Sequence, residues 1–152
     1  MFIRHTFLKS ILVSAVAAAA LAACGHMGMG QSGGKETFEA KLSAAQEVPP
    51  GSGQGAGTAE VQLDKGTSMV SWKLNYSGLS GPAVAGHIHG PAAAGQNAGV
   101  VVPFTGITSQ PVSGQATVTP AQIADLEAGK WYVNVQTAAN PGGEIRGQLQ
   151  KR

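Results

Sequence analysis

The clearest pattern in the chain is a strict alternation of apolar and polar residues over residues 58–64 and again over residues 68–76. Successive side chains of a β-strand point to opposite faces of the sheet, so each stretch predicts a strand with one buried face. Lys65 and Gly66 lie between the two stretches and predict a hairpin turn. The residues expected to face the core are Ala59, Val61, Leu63, Val70, Trp72, Leu74 and Tyr76.

Similar patterns predict further strands at residues 37–42, 84–89, 100–104, 114–118, 131–136 and 144–150. One short helix is predicted near residues 120–128, because Thr119 is a good N-cap, Pro120 suits the first helical position, Gln122 completes a capping box and Gly129 ends the helix. Without a βαβ rhythm, these elements indicate an all-β fold: an antiparallel, Greek-key-like β-sandwich of seven or eight strands.

Within the last two predicted strands, the alternation assigns a face to every residue. Apolar side chains of 131–136 and 144–150 are expected to face the core, and the polar side chains are expected to face outward. The polar set is Tyr132, Asn134, Gln136, Glu144, Arg146 and Gln148.

The N-terminus predicts export. Arg4, His5 and Lys9 precede an apolar run over residues 11–23 that is too short to span a bilayer as a helix. The run ends in LAACG (21–25), which resembles the lipobox of bacterial lipoproteins, where the cysteine carries the lipid. We therefore expect residues 1–23 to be a signal peptide and Cys24 to be lipidated. The protein would then sit in the cell envelope, at the outer membrane if the cell is Gram-negative.

Loss of the signal peptide removes Arg4 and Lys9, leaving eight basic residues against eight acidic ones. A nearly neutral domain without a basic stripe argues against a nucleic-acid partner. Residues 24–35 are rich in glycine and predict a flexible tether. Within it, His26, Met27 and Met29 are residue types that bind copper. Residues 36–150 are expected to form one domain.

His87 and His89 are the candidate chemical site. With one residue between them on a predicted strand, their side chains share a face. Two adjacent imidazoles suit a metal chelate or a proton-handling pair. The alternative is a polar pair satisfied by nearby backbone and loop groups.

Four separated segments resemble one known family, the CHRD domain, which is repeated in chordin and occurs singly in bacterial secreted proteins. They are AAQEVPP (44–50), GHIHGP (86–91), WYVNV (131–135) and NPGGEIRGQ (140–148). The resemblance covers about residues 36–150. In chordin the module belongs to an extracellular protein that binds growth factors, so the resemblance implies an extracytoplasmic domain and says little more about function.

A weaker resemblance is to the Cu,Zn superoxide dismutase sandwich. It implies that His87 and His89 are copper or zinc ligands and that Arg146 lies near the anion-guiding arginine. Gln136 stands where a further histidine is expected, and a neutral amide is a poorer ligand than imidazole. The candidate metal site is thus His87, His89 and Gln136, supported by Asn134, Glu144 and Arg146. If it binds copper, the alternative function is that of a copper-dependent, dismutase-like enzyme.

These patterns favour a lipid-anchored, non-catalytic envelope domain that binds a protein or glycan partner. The loops at residues 48–57 and 91–99 are the expected contact regions, because loops on a rigid scaffold commonly carry recognition. In a purely structural alternative, His87 and His89 hydrogen-bond the loop at 140–146. Arg146 then satisfies loop carbonyls or pairs with Glu144 or Glu60.

Overall fold

The computed structural model describes residues 34–152. The predicted signal peptide, Cys24 and the copper-type residues of the tether lie outside the described residues. Lys35, which was assigned to the tether, already begins the first strand. No helix in the described part of the chain is long and apolar enough to cross a membrane.

Residues 34–152 form nine strands, one α-helix and one 3-10 turn. The strands are β1 (Lys35–Ser43), β2 (Ala56–Asp64), β3 (Met69–Ser77), β4 (Ala83–His89), β5 (Val100–Pro103), β6 (Val112–Thr117), β7 (Tyr132–Thr137), β8 (Ile145–Gln148) and β9 (Gln150–Lys151). The 3-10 turn covers Ala44–Gln46, and helix α1 covers Pro120–Glu127. The predicted all-β class with a single short helix is therefore confirmed.

The strands form one antiparallel sheet in the order β5-β4-β7-β8-β1-β2-β3-β6, with β9 also paired to β1. The predicted hairpin of β2 and β3 is present, and its turn is held by Asp64, whose Oδ1 accepts hydrogen bonds from the amides of Gly66 and Thr67. The segment after β5 bridges the two sheet edges. Phe104 packs on Trp72 of β3 with ring centroids 5.3 Å apart. The sheet therefore curves round a single core.

The core consists of the apolar positions that alternation assigned to the inner face. Val61, Leu63, Val70 and Leu74 are fully buried, while Trp72 is 7% exposed. The helix adds Leu126 to the same core. Its predicted capping box is present, with Thr119 Oγ1 accepting from the Gln122 amide and Gln122 Oε1 accepting from the Thr119 amide. Local sequence patterns thus account for the β2–β3 hairpin, its buried face and the start of helix α1.

The polar residues of β7 and β8 lie on the face opposite the apolar core, as alternation predicted, but most of them are buried instead of exposed to solvent. Tyr132 is 3% exposed, Asn134 2% and Arg146 1%. The loop at residues 90–99 covers this second face of the sheet, with the Ala92 amide donating to Lys130 O and the Ala98 amide donating to Tyr132 Oη. Both faces of the sheet are consequently closed around β4, β7 and β8, and the second closed face is polar.

Candidate functional site

Strand pairing brings the sequence-predicted residues together on this second face. His87 lies opposite Asn134, His89 opposite Tyr132, and Arg146 opposite Asn134 on the other side of β7. Residues directly opposite each other in an antiparallel sheet share a face. Gln136 is on the same face but lies opposite Ala85, one pair further along β7.

Each ring nitrogen of His89 lies within hydrogen-bond distance of an oxygen acceptor. Nδ1 lies 3.0 Å from Ala98 O, and Nε2 lies 3.1 Å from Asn134 Oδ1. The Asn134 amide is oriented by its own bond, because Nδ2 donates to Gly142 O at 3.1 Å. The His89 ring also stacks on Tyr132 at 4.8 Å between centroids. Coordination of a metal by His89 would therefore require the loss of one of these hydrogen bonds.

His87, unlike His89, has a ring nitrogen without a hydrogen-bond partner. Its Nδ1 is buried and has no hydrogen-bond partner among the described residues. Burial lowers the pKa of His87, and the neighbouring His89 lowers it further. The two rings meet edge to face, 5.4 Å apart. A neutral imidazole with an unpartnered nitrogen is a potential metal ligand or proton acceptor. Within residues 34–152, however, no three His, Cys, Asp or Glu side chains are grouped to hold a metal ion.

Arg146 holds the loop at residues 90–99 against the sheet through its guanidinium group. One guanidinium nitrogen donates to Asn97 Oδ1 at 3.0 Å, another donates to Gln96 O at 2.6 Å, and Cζ lies 3.5 Å from the Tyr132 ring centroid. Burial lowers the pKa of Arg146, while Tyr132 and Glu47 oppose that shift. Arg146 therefore satisfies acceptors of the loop at 90–99, whereas the structural alternative named only the loop at 140–146, and it forms no ion pair with Glu144 or Glu60 in the described chain.

Glu144 ties three segments together just before β8. Its carboxylate accepts from the Ser80 amide, from the hydroxyls of Ser80 and Thr137 at 2.6 Å each, and from Asn140 Nδ2 at 3.1 Å. Burial raises the pKa of this carboxyl, but the four hydrogen bonds together outweigh it and lower the pKa to about 2. Glu144 is thus a structural anion. His87 and His89 do not bond to this loop directly; the link runs from His89 through Asn134 to Gly142.

Glu47 is the site residue that the sequence reasoning did not identify. It is 8% exposed, and its Oε1 has no hydrogen-bond donor among residues 34–152. Burial raises its pKa to about 7, although the charge of Arg146 and the Val48 amide act in the opposite direction. The carboxyl group lies against Gly143, where a Cβ would be 2.4 Å from Oε1. Glu47 lies two residues before Pro49 in the segment 44–50, and nothing in that irregular segment indicated that it is buried.

Two clefts adjoin Glu47. The larger has a volume of about 770 Å³ and lies between residues 44–53 and residues 139–144. The smaller, about 300 Å³, lies between residues 45–50 and the covering loop at Ala94 and Gly95, with Arg146 in its wall. Parts of both predicted contact loops, 48–57 and 91–99, therefore line clefts.

Comparison with known families gives one match, in which the CHRD domain family model covers residues 38–149. The chain belongs to the CHRD domain family. No curated protein and no solved structure matches it significantly.

The four segments on which the resemblance rested lie together in one region of the structure. Segment 44–50 supplies Glu47, 86–91 supplies His89, 131–135 supplies Asn134, and 140–148 supplies Glu144 and Arg146. Glu47, His89, Asn134 and Arg146 are linked through hydrogen bonds, contacts to the Tyr132 ring and charge interactions. Glu144 bonds separately to Ser80, Thr137 and Asn140. The arrangement holds two loops rigidly around a cleft.

Proposed function

We propose that this CHRD domain protein is a lipid-anchored, non-catalytic binding domain of the bacterial cell envelope. The observation that carries the proposal is the convergence of segments 44–50 and 140–148 on the 770 Å³ cleft. A rigid polar cleft of this size falls in the range of small-molecule and partner recognition sites. The network of Glu144 and Arg146 orders the loops in advance, which reduces the entropy lost on binding.

The direction of β1 supports an outward-facing site. The strand begins at Lys35, next to the predicted tether, and ends at Ser43, where the cleft begins. Nine residues of strand span roughly 27–30 Å, so the cleft lies about that far from Lys35, the residue nearest to the predicted tether. This position favours a ligand from the surrounding envelope over binding of the cleft to the anchoring membrane.

Anchoring is tested at Cys24. Cells expressing the wild type are expected to incorporate labelled fatty acid into the protein and to retain it in the membrane fraction. Cys24→Ala should abolish both signals while leaving the folded domain unchanged by circular dichroism. Equal labelling of the wild type and the variant would refute lipidation at Cys24.

Partner binding is tested by filling the cleft without touching the hydrogen-bond network. Ser52 is an exposed residue in the wall of the cleft, so Ser52→Trp should reduce recovery of a partner from envelope extract at least several-fold. Ser113→Trp, at an exposed position on edge strand β6, is the matched control. Equal recovery by both variants and the wild type would exclude the cleft as the binding site.

Copper or zinc binding is a second candidate function, favoured by the buried, unpartnered Nδ1 of His87. Gln136 and the tether residues His26, Met27 and Met29 are the proposed additional ligands. Titration with Cu(II) should show nitrogen coordination in the electron paramagnetic resonance spectrum that His87→Ala removes. Unchanged spectra in that variant would exclude the site. A dismutase-like activity would require the same copper centre and is tested afterwards by a superoxide assay on the copper-loaded protein.

A further inference from the structure

The larger cleft has a one-sided charge. Two carboxylates, Glu47 and Glu144, line it, and no lysine, arginine or histidine does so among the described residues. Three of its wall residues are prolines, which have a carbonyl acceptor but no amide donor. The remaining polar wall residues are Ser52, Ser80, Asn97 and Asn140. The lining therefore suits a ligand that is positively charged and rich in hydrogen-bond donors.

Only one of the two carboxylates is available to a ligand. The oxygens of Glu144 already accept four hydrogen bonds. Glu47 is more than nine-tenths buried, and its Oε1 has no donor within residues 34–152. Arg146 does not form an ion pair with it, because that guanidinium is engaged by Gln96, Asn97 and the Tyr132 ring. A buried carboxylate without a hydrogen-bond partner is energetically unfavourable. A ligand that donates a hydrogen bond to it removes this penalty, and the removal contributes to the free energy of binding.

We propose that this cleft binds a small organic ligand through a primary ammonium group, which donates to the carboxylate of Glu47. The inference rests on the proposed binding function and names the ligand class of the same cleft. Oε1 is covered from solvent in this conformation, so binding includes a local rotation of Glu47 or of the exposed rim at residues 49–53.

An ammonium group fits this site better than a metal ion. Calcium takes six to eight oxygen ligands and zinc takes four, commonly from His, Cys and carboxylates. Residues 34–152 contain no group of three such side chains, and the Glu144 oxygens are occupied. A volume of about 770 Å³ also exceeds what a bare ion fills and lies within the range for small organic ligands.

Binding of an alkylammonium ligand, which stays protonated well above neutral pH, should strengthen as the pH rises. Because burial raises the pKa of Glu47 to about 7, the carboxyl group is largely protonated at pH 6 and largely ionised at pH 8. The charged groups facing it are Arg146 on β8 and Glu144 before β8, and the pKa of Glu144, about 2, keeps that group ionised throughout. An ammonium ligand selects ionised Glu47, so binding near pH 7 is accompanied by proton release.

Calorimetric titration of the full chain tests the proposal with two ammonium compounds, 1,5-diaminopentane and glucosamine, at pH 7, where Glu47 is about half ionised and both amines are still largely protonated. Their neutral counterparts are 1,5-pentanediol and N-acetylglucosamine. At least one ammonium compound is expected to bind, and the neutral counterparts should not. Glu47→Gln should weaken binding at least ~10-fold, in line with loss of a hydrogen bond to a charged group. Glu39→Gln, a half-exposed residue on β1, removes the same charge elsewhere and should have no effect.

The pattern of binding also identifies the source of the ammonium group. Binding of the diamine alone assigns an alkylamine, and binding of glucosamine alone assigns an amino sugar. The proposal is overturned if neither compound binds at millimolar concentration, if the neutral counterparts bind equally well, or if folded Glu47→Gln binds like the wild type. Displacement of the ligand by CaCl₂ with direct calcium binding would also overturn it in favour of a metal site. Loss of partner recovery in Ser52→Trp without any amine binding would refute this inference and leave the proposed binding function standing.

Discussion

The pH dependence of stability should be dominated, above pH 4.5, by the single side chain of Glu47. The folded protein holds this carboxyl group buried beside Gly143, and burial raises its pKa from 4.5 to about 7. The folded state therefore binds this proton more tightly than the unfolded chain does. Its contribution to stability is complete below pH 4.5 and is lost as the pH rises through about 7.

The size of this effect follows from the shift. Each pKa unit corresponds to about 1.4 kcal/mol, so raising the pH from 4.5 to 8 should remove up to about 3 kcal/mol of folding free energy through Glu47 alone. For a domain of this length, 3 kcal/mol corresponds to roughly 10 °C in melting temperature. Glu47 borders two clefts that are open to solvent, so screening lowers the effect below this upper value.

Glu47→Gln removes the titration while keeping the shape of the side chain. The amide introduces a buried group of its own, which costs about 1 kcal/mol at every pH, so the informative quantity is the slope and not the absolute stability. Urea unfolding from pH 4.5 to 8 should show the wild type losing stability relative to Glu47→Gln. Burial lowers the pKa of His87, which adds an opposite slope to both proteins and cancels in their difference.

Parallel stability curves for the two proteins across this range would refute the reasoning, because they would show that Glu47 titrates normally in the folded state. Glu39→Gln should follow the wild type, since this half-exposed carboxylate makes only a surface ion pair with Arg152. A curve for Glu39→Gln that matched Glu47→Gln would indicate a general effect of net charge.

Three further substitutions test the network around the cleft. Glu144→Gln should destabilise the domain by about 2–3 kcal/mol near neutral pH and by much less near pH 2. The reason is that the pKa of Glu144 is lowered to about 2, so the advantage of the wild type is lost as the pH falls from 4.5. Equal urea midpoints of the two proteins at pH 7 would contradict this. Gly143→Ala should lower the free energy of unfolding by about 1–3 kcal/mol in the same assay, because the φ of Gly143 is 140° and a Cβ there would meet Glu47. Gly142→Ala is the control, since no atom lies within 4 Å of a Cβ at that position. Arg146→Met should increase amide hydrogen exchange in residues 90–99 by an order of magnitude or more, since the guanidinium bonds to Gln96 and Asn97 hold that loop; unchanged exchange would mean that the loop is held by its own backbone.

Much of the fold could be predicted from local patterns. Alternation located β2, β3 and their turn within one or two residues, and Thr119 with Gln122 located the helix start. The shared face of His87, His89 and Gln136 followed from the same period of two. Boundaries failed where the chain is irregular: β8 begins at Ile145 instead of residue 144, and a break separates it from β9.

The candidate site was harder to predict, because its energetics depend on what covers each residue. Alternation distinguishes the two faces of a strand but does not say whether the second face meets solvent. Tyr132, Asn134 and Arg146 carry the polar pattern of a solvated face and are nevertheless buried. Glu47, in an irregular segment without any period, carried no signal of burial.

By itself, the amino-acid sequence determined the secondary structure, the apolar core and the family, because each depends on short-range patterns or on separated motifs in order. Only the tertiary structure decided the chemistry of the second face. The pairing of β7 with β4 and β8 joins segments about 45 and 14 residues apart and places the loop at 90–99 over them. That long-range closure excludes water from Arg146, and it places an oxygen acceptor within hydrogen-bond distance of each ring nitrogen of His89.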